Sequence, residues 1–192
     1  PDAFGICIAT VDGYVYEVGA TRQEFSVQSI SKPFTYGLAL MDLGPDAVDA
    51  KIDVEPSGES FNEISLAAGT GRPANAMINA CALAGTGLIR SSATRSAMER
   101  IVDTYSAFAG RQLVVDEEIF EQERAHSDRN HALAYLLRSY GIIEVDPTTV
   151  LECYLRGCAV QVTCRDLSIM AATLANGGTN PLTERTALTR EP

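Results

Sequence analysis

FSVQSISKPFTYGLAL, Phe25 to Leu40, is the stretch on which the chain changes character. Before it the sequence alternates like strands, and after it the periodicity is helical. Upstream, FGICIATVDGYVYEVG (Phe4–Gly19) alternates and holds Asp12-Gly13 between two β-rich runs, which predicts a hairpin. From Ser29 onward the pattern predicts a helix. Pro33 falls in its first turn, where a missing N–H costs nothing, and the apolar run reaches about Met41 before Leu43-Gly44-Pro45-Asp46 ends it.

The body that follows reads as helices. A polar loop, EPSGESFNE (Glu55–Glu63), and a Gly-rich stretch around AAGTGRP come first. NAMINACALAGTGLI (Asn75–Ile89) reads as a buried helix of small residues. SAMERIVDTYSAFAG is amphipathic and stops at Gly110. VDEEIFEQERA is a shorter helix with its acids toward the start. Ser127 can cap the next helix, which stops at Gly141. Asp146 with Pro147 opens another, stopping at Gly157. Thr163 with Asp166 makes a start like a capping box for the last, ending at Gly177-Gly178. A lone hairpin is marginal, so either the helix from Ser29 covers it or further strands complete a sheet.

Composition narrows the function. The chain has 192 residues, a formal net charge of −10 and 46% hydrophobic residues, fitting one soluble globular domain. The acidity argues against nucleic acid and anionic membrane as partners. No apolar run is long enough to span a bilayer. The five cysteines (Cys7, Cys81, Cys153, Cys158, Cys164) form no Cys-x-x-Cys and have mostly apolar neighbours, so they read as reduced thiols packed in a core, in a cytoplasmic protein. His126 and His131, the only histidines, lie five apart and off the spacing that puts two ligands on one helix face, which argues against zinc.

Lysine is scarce: beside Lys32 there is only Lys51. If Ser29 sits at a helix start, Lys32 lies one turn up on the same face, with Cβ atoms roughly 5–6 Å apart. Desolvation lowers an amine's pKa and lets it take the serine's proton. Ser31 is the competing nucleophile, but it adjoins Lys32 in sequence and so points to a different face. The bland reading is a snorkelling Lys32 and an N-capping serine.

QSISKPFTYGLAL, with TVDG, EPSGESFNE, NAMINA, ERAHSDRN, VTCRDLSIMAATLANGG and NPLT in that order, resembles the serine-dependent glutaminases over essentially the whole chain. The resemblance implies deamidation of free L-glutamine to L-glutamate and ammonia. It implies an α+β fold like that of the serine β-lactamases: an antiparallel sheet with flanking helices plus a helical subdomain, incomplete in this chain. Residues 1–192 are expected to be a single catalytic domain truncated at both ends, with a tyrosine before it and a second tyrosine and a Gly-rich strand after it. Ser29 corresponds to the nucleophile and Lys32 to the general base. Gln28 lines the pocket, and Asn79 binds substrate. Glu123 and Asn130 hold the amino-acid end, and Tyr154 is a pocket tyrosine. No metal or organic cofactor is implied, and we expect a homo-oligomer, dimer or tetramer.

The chemistry of glutamine asks for such groups independently. Its α-ammonium wants a carboxylate, and its α-carboxylate wants neutral donors such as amides and a phenol. Apart from the resemblance, Glu123 is one acid on an acidic helix, Asn130 a first-turn residue and Tyr154 a core residue. Asn79 is an odd amide in a small apolar helix. Cys81 stands where the family more often has glycine. The rivals are another Ser-x-x-Lys acyl hydrolase, although Lys-Thr-Gly is absent from the chain, and an amino-acid-binding module without turnover.

Overall fold

The computed structural model describes residues 3–189 apart from 56, 57 and 59–63. The loop expected at Glu55–Glu63 thus lies almost wholly outside the described residues. Strands β1 (Gly5–Ala9) and β2 (Val15–Gly19) form the expected antiparallel hairpin, with Ile6 opposite Val18 and Ile8 opposite Tyr16. At its turn Gly13 takes φ +90° and its N–H bonds the Thr10 carbonyl. A second two-stranded sheet pairs β3 (Glu24–Ser26) with β4 (Gln161–Thr163). This sheet was not anticipated: each strand is three residues long, too short for an alternating pattern to register.

Gln28–Ser31 is a turn of 3₁₀ helix, and α1 runs from Lys32 to Leu43, so the α-helix opens at the lysine rather than at Ser29. After the short α2 (Pro45–Asp49) come α3 (Asn79–Leu88), α4 (Ala97–Ala109), α5 (Glu117–Ala125), α6 (Asp128–Ser139), α7 (Pro147–Cys158) and α8 (Cys164–Ala175). The caps at Ser96, Asp116, Asp146 and Thr163 accept backbone N–H groups of the first turn; those at Ser96 and Thr163 are full capping boxes. Two further boundaries and one cap differ from expectation. The helix read from Asn75 begins at Asn79, because the Asn75 side chain accepts the Met77 N–H and offers the backbone a turn instead. The helix read as ending at Gly157 continues through it, since Gly157 keeps an ordinary φ. Ser127 is the N-cap of α6, yet its hydroxyl caps nothing there.

The small residues of α3 place it at the centre. Ala80 through Thr86 are all buried, and α1, α6 and α7 pack around it. Close approach of three helices to one axis needs short side chains, which is what ACALAGT supplies. The hairpin is covered on one face by α8, not by the helix after Ser29; that helix packs on α3 and α4. Arg111 grips the Asp166 carboxylate with two hydrogen bonds of 2.9 and 2.6 Å, tying the loop after α4 to the first turn of α8.

Candidate active site

The Phe25–Leu40 segment is carried to the site by backbone pairing. β3 pairs with β4, the Val27 N–H bonds the Val160 carbonyl at 2.9 Å, and Val160 bridges Val115 just before α5. One junction therefore sets both the turn bearing Gln28 and Ser29 and the start of the helix bearing Glu123. At this junction Gln28 takes φ +50°, a left-handed conformation rare for a residue with a side chain. Such a conformation costs free energy and persists only where its surroundings impose it. The Gln28 amide is held by Ser26 Oγ at 3.1 Å and by Glu123 Oε1 at 3.2 Å.

The turn separates the two serines. Ser29 is exposed, and the hydroxyl of Tyr154, a buried residue of α7, lies near it. Ser31 is 2% exposed, with its hydroxyl 4.0 Å from the Cys158 thiol and its carbonyl accepting from the Tyr105 hydroxyl at 3.3 Å. Of the two, only Ser29 can meet a molecule from solvent.

Lys32 is 4% exposed. Its Nζ donates to the Met77 carbonyl at 3.0 Å and to Asn79 Oδ1 at 2.8 Å. Burial holds its pKa below the ordinary lysine value, opposed in part by Cys158 and Cys81. A cavity of about 10 Å³, room for one water, lies behind it, lined by Lys32, Thr35, Thr86, Tyr105 and Tyr154 among others. Burial also pushes the Tyr154 hydroxyl upward and the Cys158 thiol up to about 11, so both stay protonated near neutrality.

The structure brings together Gln28, Ser29, Lys32, Asn79, Glu123 and Tyr154 from five elements. Asn130 stands half-buried in the first turn of α6, and among the described residues its side chain makes no hydrogen bond. Four contributors were missed by the sequence reading. Met77 acts through its backbone, and Cys158 looked like any core thiol. Tyr105 and Thr35 share a buried hydroxyl pair behind the turn; a polar group on the apolar stripe of α4 was the only hint of it. Lys32 and Asn79 were each legible as a polar side chain in an apolar segment, and their meeting was not.

An exposed hydroxyl three residues before a buried amine of lowered pKa, with a carboxylate on a neighbouring helix, supplies the groups to attack a carbonyl and pair an ammonium. The Glutaminase family model matches residues 1–192. Glutaminase 2 of Bradyrhizobium diazoefficiens is 49% identical over 189 residues, covering 98% of this chain and 30% of that protein. The glutaminase of Corynebacterium efficiens is 48% identical over 185 residues, covering 95% of this chain and 44% of that one. The crystal structure of Mglu in its glutamate form aligns with TM-score 0.90 at 47% identity, over 99% of this chain and 44% of that chain. A Bacillus glutaminase aligns with TM-score 0.90 at 32% identity, over 97% and 63% respectively. The chain thus spans less than half the length of both curated relatives.

Proposed function

The chain belongs to the glutaminase family, and on that premise we propose that its protein hydrolyses the side-chain amide of free L-glutamine through an acyl-enzyme on Ser29. A neutral amine donating its two N–H groups to Met77 O and Asn79 Oδ1 directs its lone pair elsewhere. The Ser29 hydroxyl is its target. The proton of Ser29 passes to Lys32, and the oxygen attacks the γ-carboxamide carbon. Backbone N–H groups, that of Ser29 among them, hold the oxyanion. Lys32 returns the proton to the departing nitrogen, and ammonia leaves. Water then adds to the glutamyl ester and releases glutamate.

Glu123 pairs the α-ammonium, while Asn130 and Asn79 donate to the α-carboxylate end. Gln28 orients Glu123, and Tyr154 holds the Ser29 hydroxyl. Residues 1–192 belong to one catalytic domain with a fold of the β-lactamase type, and no step calls for a metal or organic cofactor. Free thiols at all five cysteines fit a reducing cytoplasm, and among the described residues no helix is long and apolar enough to cross a membrane. The net charge of −10 disfavours nucleic acid as a partner; the working form is a homo-oligomer.

One observation carries this reading: the exposed Ser29 and the buried, doubly held Lys32 on one turn, with Ser31 facing the core. A diazoketone analogue of glutamine tests it on the full-length protein. Mass spectrometry is expected to place the adduct on Ser29 within the peptide Gln28–Lys32. Ser29→Ala abolishes labelling and Ser31→Ala leaves it. An adduct on Ser31 or on a cysteine overturns the mechanism.

A further inference from the structure

Glu123 lies in the last turn of α5 and Asn130 in the first turn of α6, with only His126 and Ser127 between the helices. A helix leaves its last four carbonyls without internal partners, and here the short connection takes up three of them. The His126 ring bonds the Gln122 carbonyl at 2.9 Å, the His126 N–H bonds that of Glu123 at 3.2 Å, and the Ser127 hydroxyl donates to that of Arg124 at 2.8 Å. Ser127 is 3% exposed and stands at the N-cap of α6, where a serine would ordinarily accept an N–H of its own helix. It is turned back onto α5 instead.

His131 completes the arrangement. Its Nδ1 is 3.1 Å from Ser127 Oγ and 3.3 Å from the Ser127 carbonyl. A carbonyl can only accept, and the single hydroxyl proton of Ser127 goes to Arg124, so His131 Nδ1 carries a proton and donates to both. The result is a chain of hydrogen bonds running His131, Ser127, Arg124 carbonyl, from the first turn of α6 to the end of α5. Nothing in the reaction uses either histidine.

We propose that Ser127 and His131 are positioning residues for the amino-acid end of the substrate. Their hydrogen bonds lock the end of α5 against the start of α6 and so fix the separation of Glu123 and Asn130. The assignment rests on the proposed roles of those two residues. Loosening the clasp then weakens capture of the α-amino-acid group while leaving the Ser29–Lys32 turn, held by other contacts, as it was.

Steady-state kinetics on the full-length protein test this. His131→Leu is expected to raise KM for glutamine about tenfold with kcat within about twofold, the scale of one lost hydrogen bond. His131→Asn, which sets an amide N–H near the place of Nδ1–H, is expected to restore KM. Ser127→Ala and Ser127→Thr form the same pair and decide the matter should His131→Leu fail to fold. A loss confined to kcat, or equal defects in the Leu and Asn variants, overturns the proposal. Glu123→Gln is measured alongside. If it impairs kcat/KM while the clasp variants leave KM unmoved, the clasp is wrong and the pocket reading stands. If Glu123→Gln changes nothing, the pocket reading falls and the clasp with it.

Discussion

The two walls of the site are built differently. The inner wall, Lys32, Asn79 and Tyr154, stands on α1, α3 and α7, which pack on the central α3 or belong to it, and Lys32 and Tyr154 are themselves buried. The outer wall, Gln28, Glu123 and Asn130, stands on a 3₁₀ turn and on the ends of α5 and α6, half-buried, joined by side-chain hydrogen bonds more than by apolar packing. Burial suits the inner wall because a depressed lysine pKa needs a dry place. Partial exposure suits the outer wall because substrate must enter and product must leave. Chemistry should therefore fail in kcat when Lys32 of the inner wall is cut and in KM when the outer wall is cut.

The largest expected effect is at Lys32. Lys32→Met keeps length and apolar bulk but removes the base, and kcat should fall by about 10²–10⁴-fold, the range of general-base catalysis. Diazoketone labelling of Ser29 should slow in parallel. The pH profile has a fixed sign. Burial lowers the folded-state pKa of Lys32 below the ordinary lysine value of 10.5, so the neutral amine, and with it kcat/KM, grows as pH rises through that lowered value. Between the lowered value and 10.5 the unfolded chain binds the extra proton, so stability also rises with pH in this window. A wild-type profile that falls with pH there, or one unchanged in Lys32→Met, breaks the assignment of the inner wall.

The inner wall was the more legible of the two, for a physical reason. A lysine and an asparagine inside apolar runs are visible against their neighbours, and helix punctuation at Asp146 or Thr163 is local chemistry that any context respects. The outer wall depends on pairing between residues far apart in sequence, Val27 with Val160 and Gln28 with Glu123, and on a left-handed φ at a glutamine, which leaves no mark in composition. Ser127 misled because its residue type predicts a cap, while the carbonyl of Arg124, three residues back at the open end of α5, takes its hydroxyl instead. The hairpin was read from its alternation, but the helix that covers it, α8, lies 150 residues downstream of its turn by number, beyond any local pattern.

Glu123→Gln is the next expected effect. The change keeps shape and removes the charge that pairs the α-ammonium. Truncating one partner of a buried charge pair costs about 2–5 kcal/mol. Glu123 is only half-buried, so solvent screening puts it at the lower end, about 30- to 100-fold in kcat/KM. The loss should appear mainly as KM, and thermal melting should be unchanged. A loss in kcat alone would place Glu123 with the inner wall and erase the contrast between the two.

The smallest expected effect probes what supports the inner wall from behind. Tyr105 is 1% exposed, packs edge-on to Phe34 with ring centroids 6.0 Å apart, and joins Thr35 and the Ser31 carbonyl through its hydroxyl. Tyr105→Phe keeps the ring and its packing. Thr35 is then left without its phenolic partner, but it sits four residues after Ser31, and a threonine hydroxyl can donate to the carbonyl one turn back in its own helix. The hydrogen bond is thus exchanged rather than lost, and stability should fall by only about 1 kcal/mol, read from the denaturation midpoint at unchanged m-value. Because the Ser31 carbonyl stays satisfied, the turn holding Ser29 and Lys32 keeps its shape, and kcat should drop by no more than a few-fold. A kcat loss approaching that of Lys32→Met would mean that the inner wall is held by this one hydroxyl rather than by the packing of its helices.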